Sequence, residues 1–525
     1  MNIMKNMTSG FLVFLIALPL CLGISTASGF PPIAGVLTAI VGGVLLSHIG
    51  SARLTIKGPA AGLIVIALGS VNELGILGLT EFDPIVGYRR ALAVGVIAAV
   101  IQIIFAITKV GRFAKVMPTS VVHGMLAAIG IIIIAKQFPV LMGIQGAKGE
   151  PLEMLMEIPH YIGHADPIVA GIGLLSVALL FISPLIPGIK KLPAPLLVLL
   201  VAIPLSLFYQ FSTEHSYTLG GHEHVLSSKL LVQLPGSLMD SIVFPDFSVV
   251  TSGVSIKYII MFALVGTVES LLSVIAVDSI DPEKHASDLN KDLLATGLGN
   301  LVCGLIGGLP MISEIVRSKA NIDAKATSSW SNFFHGLFLL AFVALLPDVL
   351  QMIPLTALAA MLVVTGTRLA SPTEFKHAKE IGNDQLIIFL TTCIVTLATD
   401  LLVGVGVGIL LKLIIHSYRA HGIKPLFQKL VETEEAPDVA TVRVRGAFVF
   451  TNFFGVEAAL EKIHEHHPKQ IVLDVSEATL VDHTVQECLH KIADEWEDTK
   501  LEMRGLDKLT SSSKHEAASR WRKDA

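Results

Sequence analysis

Charge is scarce in this chain. Only 15% of its 525 residues are Asp, Glu, Lys or Arg, whereas 52% are hydrophobic and the mean hydropathy is +0.70. A soluble protein of this length carries more charge to cover its surface, so the composition predicts that apolar side chains face a lipid bilayer. The formal net charge of −5 argues against a nucleic-acid partner.

Paired cysteines are missing as well. The four cysteines are scattered, which is typical of reduced structural residues and excludes a disulfide framework or a zinc site: Cys21, Cys303, Cys393 and Cys488. We also find no metal motif and no nucleophile with a base and an orienting group. We therefore expect neither an enzyme nor a cofactor, apart from a coupled H⁺ or Na⁺.

Long apolar runs recur along the first part of the chain. Their length, roughly 17 to 25 residues, is what a helix needs to cross a bilayer, and we predict about twelve such spans. Two shorter segments interrupted by Gly and Pro, Pro59–Leu68 and Ser313–Ala320, raise the total to about fourteen, in two inverted sets of seven. Lys and Arg residues fall in alternate loops, Lys57 among them, so both chain ends are predicted to be cytoplasmic. The expected location is the cell membrane, the inner one in a bacterium.

Charged residues return after about Val431. Strands are predicted at 442–449 and 470–475, and helices at 457–466 and 483–495. We predict a transmembrane transport domain in residues 1–420 and a small cytoplasmic α/β domain in residues 421–525. The polar tail, Arg504–Ala525, is expected to be loosely ordered.

The two interrupted segments share one design. Each has an extended stretch, a Gly/Pro break and then a short helix, around Gly58-Pro59 and Gly307–Pro310. The start of a helix exposes unpaired N–H groups and a positive dipole end, so two facing starts make a site for an anion. Alternatively, Gly-Pro only kinks two structural helices, but the matched position in both halves favours the binding site.

Several short motifs resemble the SulP family of anion transporters, relatives of the mammalian sulfate, chloride and bicarbonate exchangers. These motifs are Ala17-Leu18-Pro19, Gly58-Pro59-Ala60-Ala61, Val268-Glu269-Ser270-Leu271-Leu272 and Arg317-Ser318-Lys319-Ala320-Asn321. The C-terminal segments Ile471–Val475 and Val481–Thr484 look like a STAS domain. His483 stands where soluble STAS relatives have a phosphorylatable Ser, so that switch is not expected here.

The resemblance implies a core domain and a gate domain, built from intertwined seven-span repeats, in a homodimer that moves its core like an elevator. It places the substrate between the third and tenth helices. The candidate substrate-binding residues are Pro19, Leu20, Ala60, Ala61, Ile312, Ser313 and Arg317. Ser313 can offer a hydroxyl and a backbone N–H to an oxyanion, whereas the two alanines contribute backbone and small size.

Carboxylates predict coupling to a cation. Glu269 lies within the apolar span Ile259–Ala276, where a buried carboxylate is costly and therefore indicates a function. We expect it to bind H⁺ or Na⁺, with Thr267 nearby. Glu314 stands where the family has small residues, and it would repel an anion unless it is protonated or paired with a cation. Arg317 shares a helix face with Glu314 and either neutralises it, attracts the anion, or is merely a loop charge.

We therefore predict a secondary active transporter of a small inorganic oxyanion, with bicarbonate ahead of sulfate because Leu20 replaces a Gln found in many family members. Two alternatives stay open. One is a carrier of a dicarboxylate or a nucleobase-like solute, because nucleobase carriers of related architecture also place a Glu early in the tenth helix. The other is a membrane sensor that does not transport and whose STAS-like domain binds a cytoplasmic protein.

Overall fold

The computed structural model describes residues 3–147, 149–187, 192–219, 222–234, 239–283, 285–428, 431–434, 439–496 and 499–522. Within these ranges seven helical stretches are long and apolar enough to cross a membrane: Ile3–Ala27, Pro84–Ile107, Thr119–Leu141, Pro167–Leu185, Gly253–Ile280, Leu355–Ile381 and Leu401–Arg419. Five apolar helices are shorter: Pro32–Leu45, Ile64–Leu74, Ala194–Phe208, Trp330–Leu345 and Asn383–Ala398.

The chain divides into two compact units, Met1–Gly111 with Ile129–Leu369, and Arg112–Ala128 with Ala370–Ala525. The first half of the chain contains α1 (Ile3–Ala27), α2 (Pro32–Ile40), β1 (Ile56–Pro59), α3 (Ile64–Leu74), α4 (Pro84–Ile107), α5 (Thr119–Leu141), α6 (Pro151–Met156), α7 (Ile158–Gly163), α8 (Pro167–Ile182), α9 (Ala194–Phe208), β2 (His215–Leu219) and β3 (His222–Leu226). The first unit continues with α10 (Gly253–Ile280), α11 (Leu289–Ile306), β4 (Met311–Glu314), α12 (Ile315–Asp323), α13 (Trp330–Leu345), α14 (Pro347–Gln351) and α15 (Leu355–Leu369).

Helix starts in this unit are fixed by side-chain caps. Asp83 and Asp166 accept hydrogen bonds from the first backbone N–H groups of α4 and α8, and a Pro follows each of them. Ser252 and Asp288 do the same for α10 and α11. A carboxylate or hydroxyl at this position satisfies N–H groups that have no partner inside the helix, and Pro at the next position loses nothing by lacking its own N–H.

Small residues let the helices of the first unit come close. After α2 the chain forms one π-helical turn, Val41–Leu45, where Gly43 faces Gly336 of α13. A Cβ placed on Gly43 would lie 2.6 Å from the Cα of Gly336, so neither residue can be larger without separating the helices. Around this contact α1 packs against α2, α13 and α15.

The second unit ends in a sheet flanked by helices. It contains α16 (Pro372–Ile381), α17 (Asn383–Ala398), α18 (Leu401–Arg419), β5 (Val431–Glu434), β6 (Val439–Phe448), α19 (Phe453–His464), β7 (Gln470–Val481), α20 (His483–Glu495), β8 (Lys500–Arg504), β9 (Thr510–Ser511) and β10 (Arg520–Trp521). The long strand β7 pairs in parallel with β6 and β8, and in antiparallel with β10. These alternating strands and helices fit the predicted STAS-like α/β domain.

The expectation of a loosely ordered tail is wrong for the described residues up to Arg522. Strand β10 pairs through Arg520 with Val481 of β7 and with Ser511 of β9. Ala518 and Ser519 between them are fully buried. The polar composition of the tail hid this short edge strand, because two residues are too few to show an alternating pattern.

A buried ion pair joins α18 to the sheet within the second unit. Lys412 Nζ lies 3.1 Å from Asp482 Oδ2 and donates to Thr484 Oγ1 at 2.6 Å, and His416 Nε2 lies 3.3 Å from the same carboxylate. All four side chains are buried. Burial opposes the charge on Asp482, but Lys412 and His416 outweigh it, so the pKa of Asp482 lies far below its usual value.

Candidate anion and cation site

The two interrupted segments meet as a pair of short strands. β1 and β4 are antiparallel, with Ile56 opposite Glu314, Lys57 opposite Ser313 and Gly58 opposite Ile312. Helix α3 follows β1 and helix α12 follows β4. The segments lie far apart in the sequence, yet their backbones are joined just before the helix starts that we expected to face each other.

Side chains satisfy the backbone where these segments are not helical. Asn300 of α11 brackets Met311: its Nδ2 donates to the Met311 carbonyl at 3.1 Å, and its Oδ1 accepts from the Met311 N–H at 2.5 Å. The Ile56 N–H donates to Ser318 Oγ at 2.8 Å, and Asn321 donates to the Leu54 carbonyl at 2.9 Å. Irregular backbone inside a bilayer persists only when its polar groups are paired in this way.

A buried ion pair joins β1 to α11 beside the strand pair. Lys57 Nζ lies 2.7 Å from Asp292 Oδ2, and both side chains are at most 3% exposed. Ser313 Oγ lies 3.1 Å from each of these two groups, and the Ser313 N–H donates to Ser270 Oγ at 3.1 Å. The hydroxyl and N–H of Ser313, which we expected to face the anion, are therefore both engaged in this arrangement.

The prediction that Lys57 is a loop cation is wrong. Its side chain is not a loop charge but is 2% exposed and paired with a carboxylate on α11. Ser270 was predicted only as part of the motif around Glu269, and Asp292 was not predicted as a site residue. The available signal was an ionisable residue directly before the Gly-Pro break, because a charge at membrane depth is costly and normally has a partner.

Glu269 and Glu314 converge on the start of α3. The Glu269 carboxylate of α10 lies against the backbone of Gly62, and the Glu314 carboxylate lies against the backbone of Ala61. Both side chains are partly buried. Glu269 Oε2 and Glu314 Oε1 are each fully buried and have no hydrogen-bond partner in the described part of the chain. Two carboxylates thus lie at the amide-bearing start of a half-helix.

Arg317 supplies the positive charge nearest to this pair. Its side chain is 1% exposed, so it is not a loop charge. Nη2 donates to the Pro59 carbonyl at 3.3 Å and Nη1 lies 3.5 Å from Cys21 Sγ. Its charge acts on Glu314, but no carboxylate among the described residues lies within ion-pair distance of its guanidinium.

The other predicted residues lie on the elements around this centre. Pro19 is buried and Leu20 is partly exposed on α1, a helix that packs against β1, α3 and α12. Ala60 is 1% exposed between β1 and α3. Thr267 is 6% exposed and its hydroxyl is unpaired within the described residues. It lies one helical turn before Ser270, on the face of α10 that reaches β4.

These features define a class: an integral membrane protein with many apolar helices and a central polar site between two interrupted ones. The family can also be named. The chain belongs to the sulfate permease family, whose model matches residues 3–392. The predicted family is therefore confirmed, and its members are transporters, not enzymes.

Relatives with known or assigned substrates carry different anions. The bicarbonate transporter BicA of Picosynechococcus sp. is 27% identical over 408 residues, which cover 78% of this chain and 69% of that protein. The chloroplastic sulfate transporter 4.1 of Arabidopsis thaliana is 22% identical over 525 residues, which cover 95% of this chain and 74% of that protein. Both are anion transporters, which supports anion transport here.

Two solved structures share the fold. The transmembrane domain of a cyanobacterial bicarbonate transporter BicA matches with a TM-score of 0.65 at 21% identity, covering 77% of this chain and 97% of that one. Murine Solute Carrier 26 family member A9, an anion transporter in the inward-facing state, matches with a TM-score of 0.67 at 15% identity, covering 95% and 85%. The predicted multi-pass helical membrane protein is confirmed, whereas the total of fourteen spans and the inverted repeat stay predictions.

Proposed function

We propose that this chain is a secondary active transporter of a small inorganic oxyanion, bicarbonate or sulfate, coupled to H⁺ or Na⁺. The observation that carries the proposal is the pair of carboxylates, Glu269 and Glu314, beside the backbone of Gly62 and Ala61 just before α3. Each carboxylate has one buried oxygen without a hydrogen-bond partner among the described residues. A helix start attracts an anion. An anion that approaches Ala61 and Gly62 meets two carboxylates, and it is repelled unless a cation neutralises them.

In this proposal each predicted residue has a role. Ala60 and Ala61 offer backbone N–H groups, and the small side chains leave room for the anion. Arg317 attracts the anion, while Pro19, Leu20 and Ile312 shape the pocket between α1 and the strand pair. Ser313 would bind the anion only after it releases Asp292. Glu269 and Glu314 bind the coupling cation, and the Thr267 hydroxyl supplies a further oxygen. 

The wider architecture is part of the same proposal. Residues 1–420 form the transport domain, with core and gate parts that move as in an elevator, and residues 421–525 form the cytoplasmic STAS-like domain. Two copies form a homodimer in the cell membrane, with both termini in the cytoplasm. The loop charges other than Lys57 support this orientation, and the end of α18 at Arg419 supports the boundary.

The test is uptake into proteoliposomes that contain the purified full chain. Labelled bicarbonate and labelled sulfate are supplied under an imposed Na⁺ gradient, an imposed H⁺ gradient, or neither. We expect one of the two anions to accumulate only when a gradient is present. Uptake that ignores both gradients would refute the coupling. If neither anion is taken up, but uptake of another labelled solute is inhibited by uracil or fumarate, the result would support one of the alternative carriers.

A further inference from the structure

The carboxylates occupy the groups that an anion would use. The Glu269 carboxylate lies against the backbone of Gly62 and the Glu314 carboxylate against the backbone of Ala61, and Ala61 and Gly62 lead into α3. These two side chains therefore act as tethered anions in the empty site. An incoming anion gains the same N–H groups only if the carboxylates give them up, and a displaced carboxylate in a buried site needs a cation.

The charges around the strand pair can be counted. Five side chains that can carry a formal charge lie in this part of the described structure: Lys57, Asp292, Glu269, Glu314 and Arg317. Lys57 and Asp292 cancel each other. Arg317 offsets only one of the two glutamates, so with both glutamates ionised and no cation bound the site would carry one uncompensated negative charge.

Two further titratable side chains lie within electrostatic range. Cys21 of α1 is close to Arg317 and Glu314, and His335 of α13 is close to Arg317. Both are fully buried, and the two ring nitrogens of His335 have no hydrogen-bond partner among the described residues. Both therefore count as neutral, because a buried group without a counter-charge is more stable in its uncharged form.

We infer that Glu269 and Glu314 retain one cation in the empty carrier and bind a second cation with each monovalent oxyanion. This inference rests on the proposed function and adds its stoichiometry and the charge of its substrate. With one cation the empty site is neutral, and with two cations and one monovalent anion it is neutral again. A dianion such as sulfate would need a third cation, for which the pair of carboxylates has no place. Every state that crosses the low-dielectric interior is then uncharged.

The membrane potential tests this directly. For each net charge moved, a potential of about 60 mV changes equilibrium accumulation about tenfold. The membrane potential of proteoliposomes that contain the full chain is clamped with K⁺ gradients and valinomycin. The accumulation of labelled bicarbonate and of labelled sulfate is then measured under the cation gradient that drives uptake in the first test. We expect the wild type to accumulate bicarbonate to the same level at 0 and 60 mV. We expect its accumulation of sulfate to be at least about tenfold lower than its accumulation of bicarbonate.

Variants give an independent result. Either Glu269→Gln or Glu314→Gln alone leaves one carboxylate for the transported cation, and each is expected to keep coupled, potential-independent uptake. The double variant loses both and is expected to carry bicarbonate without a cation gradient and with a tenfold response to the potential. Glu214→Gln, an exposed outer-loop residue, is the matched control.

The outcomes separate the two proposals. The inference is overturned if coupled uptake by the wild type responds tenfold to the potential, or if sulfate is transported as well as bicarbonate. Either result leaves cation-coupled anion transport intact. The same holds for a double variant that still requires a cation gradient. Absence of uptake for both anions overturns the proposed function and the inference with it. If the double variant does not fold, the two wild-type measurements decide.

Discussion

Breaking the Lys57–Asp292 pair should destabilise the first unit strongly. The two charged atoms are 2.7 Å apart and the side chains are 3% and 0% exposed. In Asp292→Asn the Lys57 ammonium loses its counter-charge and keeps only uncharged acceptors, the new amide oxygen and Ser313 Oγ at 3.1 Å. Removing one partner of a buried pair costs about 3–5 kcal/mol, mostly because the remaining charge is buried alone.

The chain contains its own control. Lys257 Nζ lies 2.8 Å from Glu73 Oε1, almost the same separation, but these side chains are 35% and 44% exposed. An exposed pair contributes only about 0–1 kcal/mol. Glu73→Gln should therefore lower the thermal unfolding temperature of the detergent-solubilised chain far less than Asp292→Asn does.

A double substitution tests whether the destabilisation comes from an unpaired buried charge or from the loss of the ion pair itself. In Lys57→Met with Asp292→Leu no charge is left unpaired, and a buried pair replaced by apolar side chains is often neutral in stability. We expect the double variant to unfold closer to the wild type than either single variant. Equal shifts for Asp292→Asn and Glu73→Gln, or additive losses in the double variant, would show that burial of the Lys57 charge is not what makes the pair important.

Three further predictions concern the cation site and the second unit. A Cβ on Gly62 would overlap the Glu269 carboxylate, so Gly62→Ala introduced together with Glu314→Gln should abolish the dependence of anion uptake on the cation gradient. Gly171→Ala is the control, because a Cβ there meets nothing within 4 Å. Asp482→Asn leaves Lys412 buried without its counter-charge and should lower the stability of the second unit by about 3–5 kcal/mol, seen as faster proteolysis of the C-terminal domain. The lowered pKa of Asp482 implies stabilisation that is complete above its unfolded pKa and is lost as the pH falls through the folded one. The difference in proteolysis between the wild type and Asp482→Asn should therefore persist from pH 8 to 5, roughly the range where paired carboxylates stay ionised, and disappearance of that difference within the range would contradict the strength of the ion pair.

The sequence predicted elements whose signal is local. Helix α20 begins at His483 and ends at Glu495 as expected, because its apolar period and its Asp482 cap lie within the segment itself. The Gly-Pro breaks were found for the same reason. The register that places Lys57 opposite Ser313 could not be derived, because nothing in either segment specifies its partner across the intervening helices.

The pairing of buried charges was the second feature that could not be predicted from the sequence. Lys57 looked like one of several loop cations, and Asp292 lies near the beginning of α11, where an acidic residue usually just complements the helix dipole. Each residue has an ordinary explanation when it is considered alone. Only the fold shows that the two are 2.7 Å apart. Glu269 was recognised because a carboxylate in the middle of an apolar span has no such ordinary explanation.

The first unit has two groups of buried charges. They can have different roles because the charges of one group neutralise each other, whereas the charges of the other group do not. Asp292 has an ammonium at 2.7 Å, so protonating it would leave a buried Lys57 charge, and it should stay ionised throughout a transport cycle. Glu269 and Glu314 share a single guanidinium that contacts neither at ion-pair distance within the described residues, so taking up a cation removes an electrostatic cost instead of creating one. The Lys57–Asp292 pair can therefore hold β1 and β4 in register, while the Glu269–Glu314 pair changes its charge each time an anion binds.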